Sequence, residues 1–363
     1  MKNADDNLRA ALLPGLGAGL MLGAVLLFVI GALLPYQRAW MPDDPALEQH
    51  AAALFVTADG HLLMGTQSGS IWRHDGAWRA YGTVPGERPV TRLGMYGSRL
   101  LIAAPDGLFD LDGRVDGVEG RISDVRAFDE NSLLTGGAMG VLRLTGEGWQ
   151  DTGLREELAE APVYRVWQSR AGHQHAGTIG EGIWSRTSIG ATWQPNRDGL
   201  PEPVNVFAFA ETPNGILLTG TDQGVFWQAE TGAAWRALHG SGDRETRYLD
   251  LLIDDREPDA PILLGATDDG VQQVRLVPRD NWLETRGQVE LLPVGPPGLD
   301  GGVSHLAISS DELWAAAGSV YRFQPVAPAI RLPLMLFSGI LFGLGLFLLG
   351  MLRWRVPDIQ SAK

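Results

Sequence analysis

The chain has 363 residues, no Cys and a formal charge of -14, with 29 Lys and Arg against 43 Asp and Glu. Without Cys there is no disulfide, no thiolate nucleophile and no Cys-ligated metal. The acidic balance argues against nucleic acid or an anionic lipid surface as a partner.

An uncharged apolar run occupies residues 12–34, and a second one fills most of 329–352. A bilayer-spanning helix needs roughly 20 apolar residues, so each run is long enough. The first run continues to Leu33, Leu34 and Pro35 without a small-residue cleavage site, which predicts an uncleaved anchor. The second ends in Arg353, Trp354 and Arg355, an aromatic and basic stop suited to a membrane interface. Lys2 and Arg9 precede the first run, and Arg353, Arg355 and Lys363 follow the second. That bias predicts cytoplasmic tails at 1–11 and 353–363, with residues 35–328 outside as a periplasmic domain of a bacterial inner-membrane protein. No ionisable residue interrupts either run, which argues against autonomous ion transport. Gly15, Gly19 and Gly23 recur every four residues, as do Gly339 and Gly343. Small residues at this spacing predict a helix interface, either between the two spans or with a partner membrane protein.

Between the anchors one pattern recurs seven times: an apolar strand, a Gly-bearing turn and another apolar strand. The turn glycines are Gly69, Gly107, Gly140, Gly182, Gly224, Gly270 and Gly318. Gly accepts positive φ at no steric cost, so each can reverse the chain into a hairpin. A further apolar strand precedes most copies, including VTRLGMY, VYRVWQS and YLDLLI. Three or four strands per repeat at this period predict an all-β propeller of seven blades, with six or eight as alternatives. The last copy reaches the second apolar run soon after Phe323, so its outer strand is expected from residues 36–50. That closure would bring the two anchors together at one rim.

The segment RTSIGATW, from Arg186 to Trp193, resembles the Asp-box of sialidase-type propellers at Gly190, Thr192 and Trp193. Arg186 replaces the family's Ser and Ser188 its Asp. Weaker echoes are Gly76 with Trp78, Gly146 with Trp149 and Gly232 with Trp235. Residues 50–325 therefore resemble Asp-box and photosystem-II-assembly-factor-like repeats, within the WD40/YVTN propeller group. The assembly-factor branch implies scaffolding of membrane complexes; the sialidase branch implies sugar hydrolysis by an Arg trio, a Tyr nucleophile and an Asp acid. Arg92, Arg121, Arg165 and Arg247, with Tyr164 and Tyr248, are available types that match no family position residue by residue.

His173 and His175 would share one strand face, which can suit a metal, but no third ligand is nearby, and a solvated face is the plainer reading. Asp254, Asp255, Glu257 and Asp259, followed by Asp268 and Asp269, could offer oxygen ligands to calcium, but the spacing is not an EF-hand and an exposed loop is the plainer reading. No catalytic residue, cofactor or metal site is assigned. Trp72, Trp184 and Trp227 follow the turn glycine at nearly the same offset, which predicts packing between blades. Trp40, Trp167 and Trp314 stand outside that pattern, and any that is exposed is a recognition candidate. The expected function is a membrane-anchored interaction scaffold, accessory subunit or assembly factor for an integral membrane partner. A ligand-binding or sensor module is the alternative, with a sialidase-like hydrolase behind it.

Overall fold

The computed structural model describes residues 2–43, 50–129, 132–158, 160–239, 246–279, 282–293, 302–328 and 330–353. The expected tail at 353–363 lies outside them except for Arg353. Two compact units result, residues 1–39 with 325–363 and residues 40–324.

The first unit is built on two helices, Lys2–Leu33 and Arg331–Arg353. The stretches long and apolar enough to cross a membrane are Gly15–Leu33 and Arg331–Gly350. The expected N-terminal tail is helical from Lys2 onward. The helices pack antiparallel through small residues, though not the predicted ones. A Cβ on Gly17 would lie 3.1 Å from the Gly345 carbonyl, and one on Gly345 would lie 2.7 Å from Met21 Cγ. Ser338 Oγ donates to the Ala24 carbonyl at 2.8 Å. Around Gly15, Gly19, Gly23, Gly339 and Gly343 an added Cβ would meet nothing within 4 Å. These five glycines therefore do not form the contact between the two helices, which runs along a different face of each.

The second unit is all-β. The expectation of seven separate blades is corrected: five four-stranded sheets stand apart, while residues 163–237 form one eight-stranded sheet. The separate sheets cover residues 51–83, 92–119, 122–151 and 248–291, and the last joins 305–326 to Gln37–Pro42. The eight-stranded sheet consists of two successive meanders, 163–195 and 204–237. They fuse because the strand Gln174–Gly180 outruns its hairpin partner, so Ile179 and Gly180 are left to pair with Asn205 and Val204. The expected closure is present: Gln37–Pro42 pairs with Ser319–Val326 as the outer strand of the last sheet. Trp40, in that strand, is fully buried against Val303, Leu313 and Tyr321.

Six of the seven predicted turn glycines have positive φ, from 70° at Gly182 and Gly318 to 130° at Gly270. Gly107 is the exception. It pairs in register with Ala104 across its hairpin, as Gly140 does with Gly137, but without positive φ.

Apolar clusters lie between each pair of successive meanders, and one joins the last sheet to the first through Leu54, Met64 and Trp314. Closeness is set by glycines on the second strand of a meander. A Cβ on Gly65 would lie 2.5 Å from Val90 Cγ1, on Gly136 2.8 Å from Val163 Cγ1, and on Gly177 2.4 Å from Val206 Cγ1. Val163 and Val206 belong to the next meander, and Val90 lies just before the next one begins. Overfilling a close-packed contact costs about 1–3 kcal/mol. Gly177→Ala is therefore expected to lower the unfolding midpoint of the full chain in detergent, and Val206→Ala to recover part of the loss in the double variant. Gly113→Ala, where a Cβ meets nothing within 4 Å, is the control and is expected to change little.

Candidate functional site: the propeller axis

Each meander begins with an inner strand, and the register places one residue of each at an equivalent point. These are Ala53, Arg92, Asp124, Arg165, Ala208, Asp250 and His305, opposite Gly65, Ala103, Gly136, Gly177, Gly220, Ala266 and Ala316 respectively. Immediately before this point five of the seven inner strands carry a register shift. A bulge leaves its extra residue outside the ladder, and the carbonyls of two such residues, Phe207 and Leu249, are taken up by one side chain. Arg165 Nε donates to Phe207 O at 2.7 Å and Arg165 Nη2 to Leu249 O at 3.1 Å.

Arg165 is completely buried and also lies 3.7 Å from Asp124 and 3.5 Å from Asp250. Each carboxylate accepts a backbone N–H from the following meander: Val166 donates to Asp124 at 3.0 Å and Leu306 to Asp250 at 3.1 Å. Arg92 stands 3.8 Å from both carboxylates. Arg126, one pleat further along the third inner strand, is 3.4 Å from Asp124. Three guanidiniums thus meet two carboxylates. Burial pushes the Asp124 carboxyl up, against the pull of Arg126, Arg92 and the Val166 N–H. Burial, with Arg92 and Arg126 beside it, holds His305 well below its ordinary value and therefore neutral.

The ring floors a cavity of about 710 Å³ on the axis. Its wall is apolar and aromatic, with Phe55, Met95, Phe128, Trp167 and Ile308, and its mouth carries Arg170, Glu211, Asp254, Arg256 and Asp311. The mouth cations are engaged: Arg170 Nη1 donates to Pro213 O at 2.8 Å, and Arg256 Nε to Asp254 Oδ1 at 2.7 Å.

Of the arginines considered from sequence, Arg92 and Arg165 come together here. Arg121 is exposed outside the ring, and Arg247 pairs with Asp268 at 2.7 Å. Arg126, Asp124, Asp250 and His305 were missed. Their signal was the order apolar, any, ring residue, apolar in the upstream strands, as in Val163–Tyr164–Arg165–Val166 and Tyr248–Leu249–Asp250–Leu251. Tyr248 is buried, donates to Gln272 Oε1, and has its hydroxyl pushed up by burial; Tyr164 packs edge-on against Phe207. Neither has the acidic partner that a Tyr nucleophile requires among the described residues.

The Asp-box-like segment lies between the third and fourth strands of its meander. Gly190 turns at φ 85°, Ser188 O accepts from Ala191 N, Thr192 is exposed, and Trp193 is buried beneath the Arg186 guanidinium, 4.7 Å from its ring centre. Trp193 Nε1 donates to Thr152 Oγ1 of the preceding meander at 3.1 Å. Trp235 and Trp78 occupy the same place in their own meanders and are also buried.

His175 is not on a solvated face. It is completely buried, within 2.7 Å of Ser185 Oγ, and burial pushes its ring down to about 3. His173 lies beside Thr231 Oγ1 at 2.7 Å. Among the described residues no group of three or more His, Cys, Asp and Glu side chains could hold a metal. Trp184 and Trp227 are buried between sheets and Trp72 packs partly buried against Trp314 and its neighbours. Trp40 and Trp314 are buried as well, which leaves Trp167 at the cavity wall as the recognition candidate.

No family model matches the chain, and no curated relative does. Solved structures do. YCF48 from Cyanidioschyzon merolae superposes with a TM-score of 0.56 at 12% identity over 79% of this chain and 98% of its own. The extracellular domain of BT3049 from B. thetaiotaomicron gives 0.61 at 11% over 80% of this chain and 42% of that one. An ancestral GH74 enzyme gives 0.59 at 14% over 78% of this chain and 46% of that one. The chain therefore spans nearly all of YCF48 but less than half of the other two. At identities this low the likeness shows the fold alone, a β-propeller. YCF48 has also been seen bound to a D1 peptide.

Two outcomes are expected. Arg165→Leu leaves two buried carboxylates and two bulge carbonyls without their shared donor, so it should cost about 3–5 kcal/mol, measured by denaturant unfolding. For His175, a folded value of about 3 against an ordinary 6.5 means that stability is full above pH ~6.5 and falls as the pH drops toward 3. The contribution to the slope approaches about 1.4 kcal/mol per pH unit. His175→Gln should flatten the fall in unfolding midpoint between pH 6.5 and 4, and an unchanged slope would count against it.

Proposed function

We propose that this protein is a membrane-anchored propeller that acts as an interaction scaffold, accessory subunit or assembly factor for a membrane complex. The carrying observation is how the charges at the axis are engaged. Both ring carboxylates accept backbone N–H groups from the next meander, and Arg165 holds two carbonyls. These groups tie the fold together, and no acid–base pair stands ready across the cavity among the described residues. Two helices long enough to cross a bilayer support residence in a membrane. YCF48, bound to a D1 peptide, is a fold neighbour that engages a protein segment, and this chain is read in the same sense.

The arrangement proposed is two-pass, with residues 1–11 and 353–363 cytoplasmic and the propeller periplasmic at the inner membrane. The absence of Cys from the whole chain makes this simple to test. A single Asp112→Cys, at an exposed position, is expected to react with a membrane-impermeant maleimide added to cells whose outer membrane has been made permeable. Labelling only after the inner membrane is lysed would reverse the orientation.

The glycine faces that the helix pair leaves uncovered, Gly15–Gly19–Gly23 and Gly339–Gly343, are proposed to meet the membrane partner. Tagged protein recovered in mild detergent should bring down a stoichiometric membrane complex. Gly19→Leu should reduce that recovery while leaving the unfolding midpoint unchanged. Gly17→Leu should instead disrupt the helix pair itself. Equal partner recovery with wild type and Gly19→Leu would remove the helix face from the proposal.

A further inference from the structure

We propose that the axial cavity binds a small organic anion, a carboxylate or phosphate ester with an apolar body, and that Arg92 and Arg126 hold its charged group. The inference stands apart from the scaffold reading and rests on donors that the fold leaves unused.

Arg92 is 7% exposed and lines the cavity. A guanidinium carries five N–H donors, yet among the described residues Arg92 donates no hydrogen bond. Its two carboxylate neighbours stand at 3.8 Å, beyond hydrogen-bonding reach. Arg126 is in the same condition. Its Nε lies 3.4 Å from Asp124 Oδ2 without hydrogen-bond geometry, and its guanidinium is stacked 5.1 Å from the centre of the Trp167 ring. Arg165 is different, since its Nε and Nη2 are committed to Phe207 and Leu249 and it does not line the cavity.

The floor of the cavity carries Arg92 and Arg126 beside Asp124 and Asp250, with Arg165 completely buried behind them and His305 held neutral. Two planar guanidiniums with open donors match a carboxylate or phosphate, which can accept paired N–H groups in a low-dielectric site. The volume, about 710 Å³, is that of a small-molecule site and too large for an inorganic ion alone. Phe55, Phe128 and Trp167 supply the apolar wall, and the Trp167 ring stacks against the Arg126 guanidinium. The ligand class that satisfies both parts has an anionic head on an apolar or aromatic body.

The test uses the full chain in detergent, with isothermal titration of benzoate and phenyl phosphate as probes. Benzamide serves as the uncharged counterpart and inorganic phosphate as the head group alone. Saturable binding of benzoate, phenyl phosphate or both is expected, and the stronger of the two distinguishes a carboxylate from a phosphate ester. Benzamide should bind at least tenfold more weakly than the stronger anion. Arg92→Gln and Arg126→Gln should each weaken that anion about tenfold or more, with Arg92→Lys falling between Arg92→Gln and wild type. Trp167→Ala should weaken the aromatic probe and leave inorganic phosphate unchanged. Unfolding midpoints establish that each variant is folded. Arg126 is partly exposed and carries no backbone hydrogen bond, so Arg126→Gln decides the question if Arg92→Gln does not fold. The proposal is overturned if neither anion binds up to about 10 mM, if benzamide binds as well as the anions, or if affinity is unchanged in the folded arginine variants.

Discussion

Arg165 joins three inner strands and two carboxylates at the centre of the propeller, and the order of the ring follows from it. Inner strands crowd at the axis, and bulges let them turn away from it while stranding backbone carbonyls in a buried place. A buried carbonyl without a donor costs free energy comparable to a lost hydrogen bond. The guanidinium meets two of them at once. A buried cation then requires counter-charge, which Asp124 and Asp250 provide from meanders on either side. Those carboxylates in turn bind the N–H of the next inner strand. The chain of dependence runs from bulge to carbonyl, to guanidinium, to carboxylate, to the neighbouring meander. The ring residues hold adjacent meanders in register as well as filling the axis.

The periphery is held by different means. Glycines on second strands admit a valine from the next meander at distances no other residue would tolerate, and tryptophans between third and fourth strands reach back to the previous meander, as Trp193 does to Thr152. A reciprocal amide pair between Asn196 and Gln228 ties the two halves of the eight-stranded sheet together. Polar contacts at the rim and the axis thus bracket an apolar layer, and each fixes the angle at which the next meander is laid down.

Much of this was legible in the sequence because propeller strands are local. The repeat, the turn glycines and the outer strand contributed by the segment after the first helix all rest on patterns within a few dozen residues. The charged ring was not legible in the same way. Arg92 and Asp250 are brought together across the axis from the second and sixth meanders, so neither has a neighbour in the chain that hints at the other. Aligning the inner strands by their apolar flanks would have placed them at one level without revealing that they touch. Which glycine face joins the two helices was not legible for a related reason. Spacing of four identifies a smooth face, and both helices have more than one. Gly17 and Gly345 lie on the face where Ser338 can also reach the Ala24 carbonyl, a preference that periodicity alone does not contain. Fusion of the two central meanders depended on a strand only a couple of residues longer than its partner, below what apolar runs resolve.

The last sheet draws its outer strand from residues just past the N-terminal helix and its other three from just before the C-terminal one. During synthesis the strand Gln37–Pro42 emerges early and has nowhere to pair until residues 319–326 follow. For most of translation it is an open sheet edge, the kind of surface on which chains associate wrongly. Trp40, completely buried once paired, is exposed with it throughout that interval. The ring is thus completed only by the final stretch of the propeller, and a nascent chain stalled before that point would present an unpaired strand and a bare indole just after its first helix.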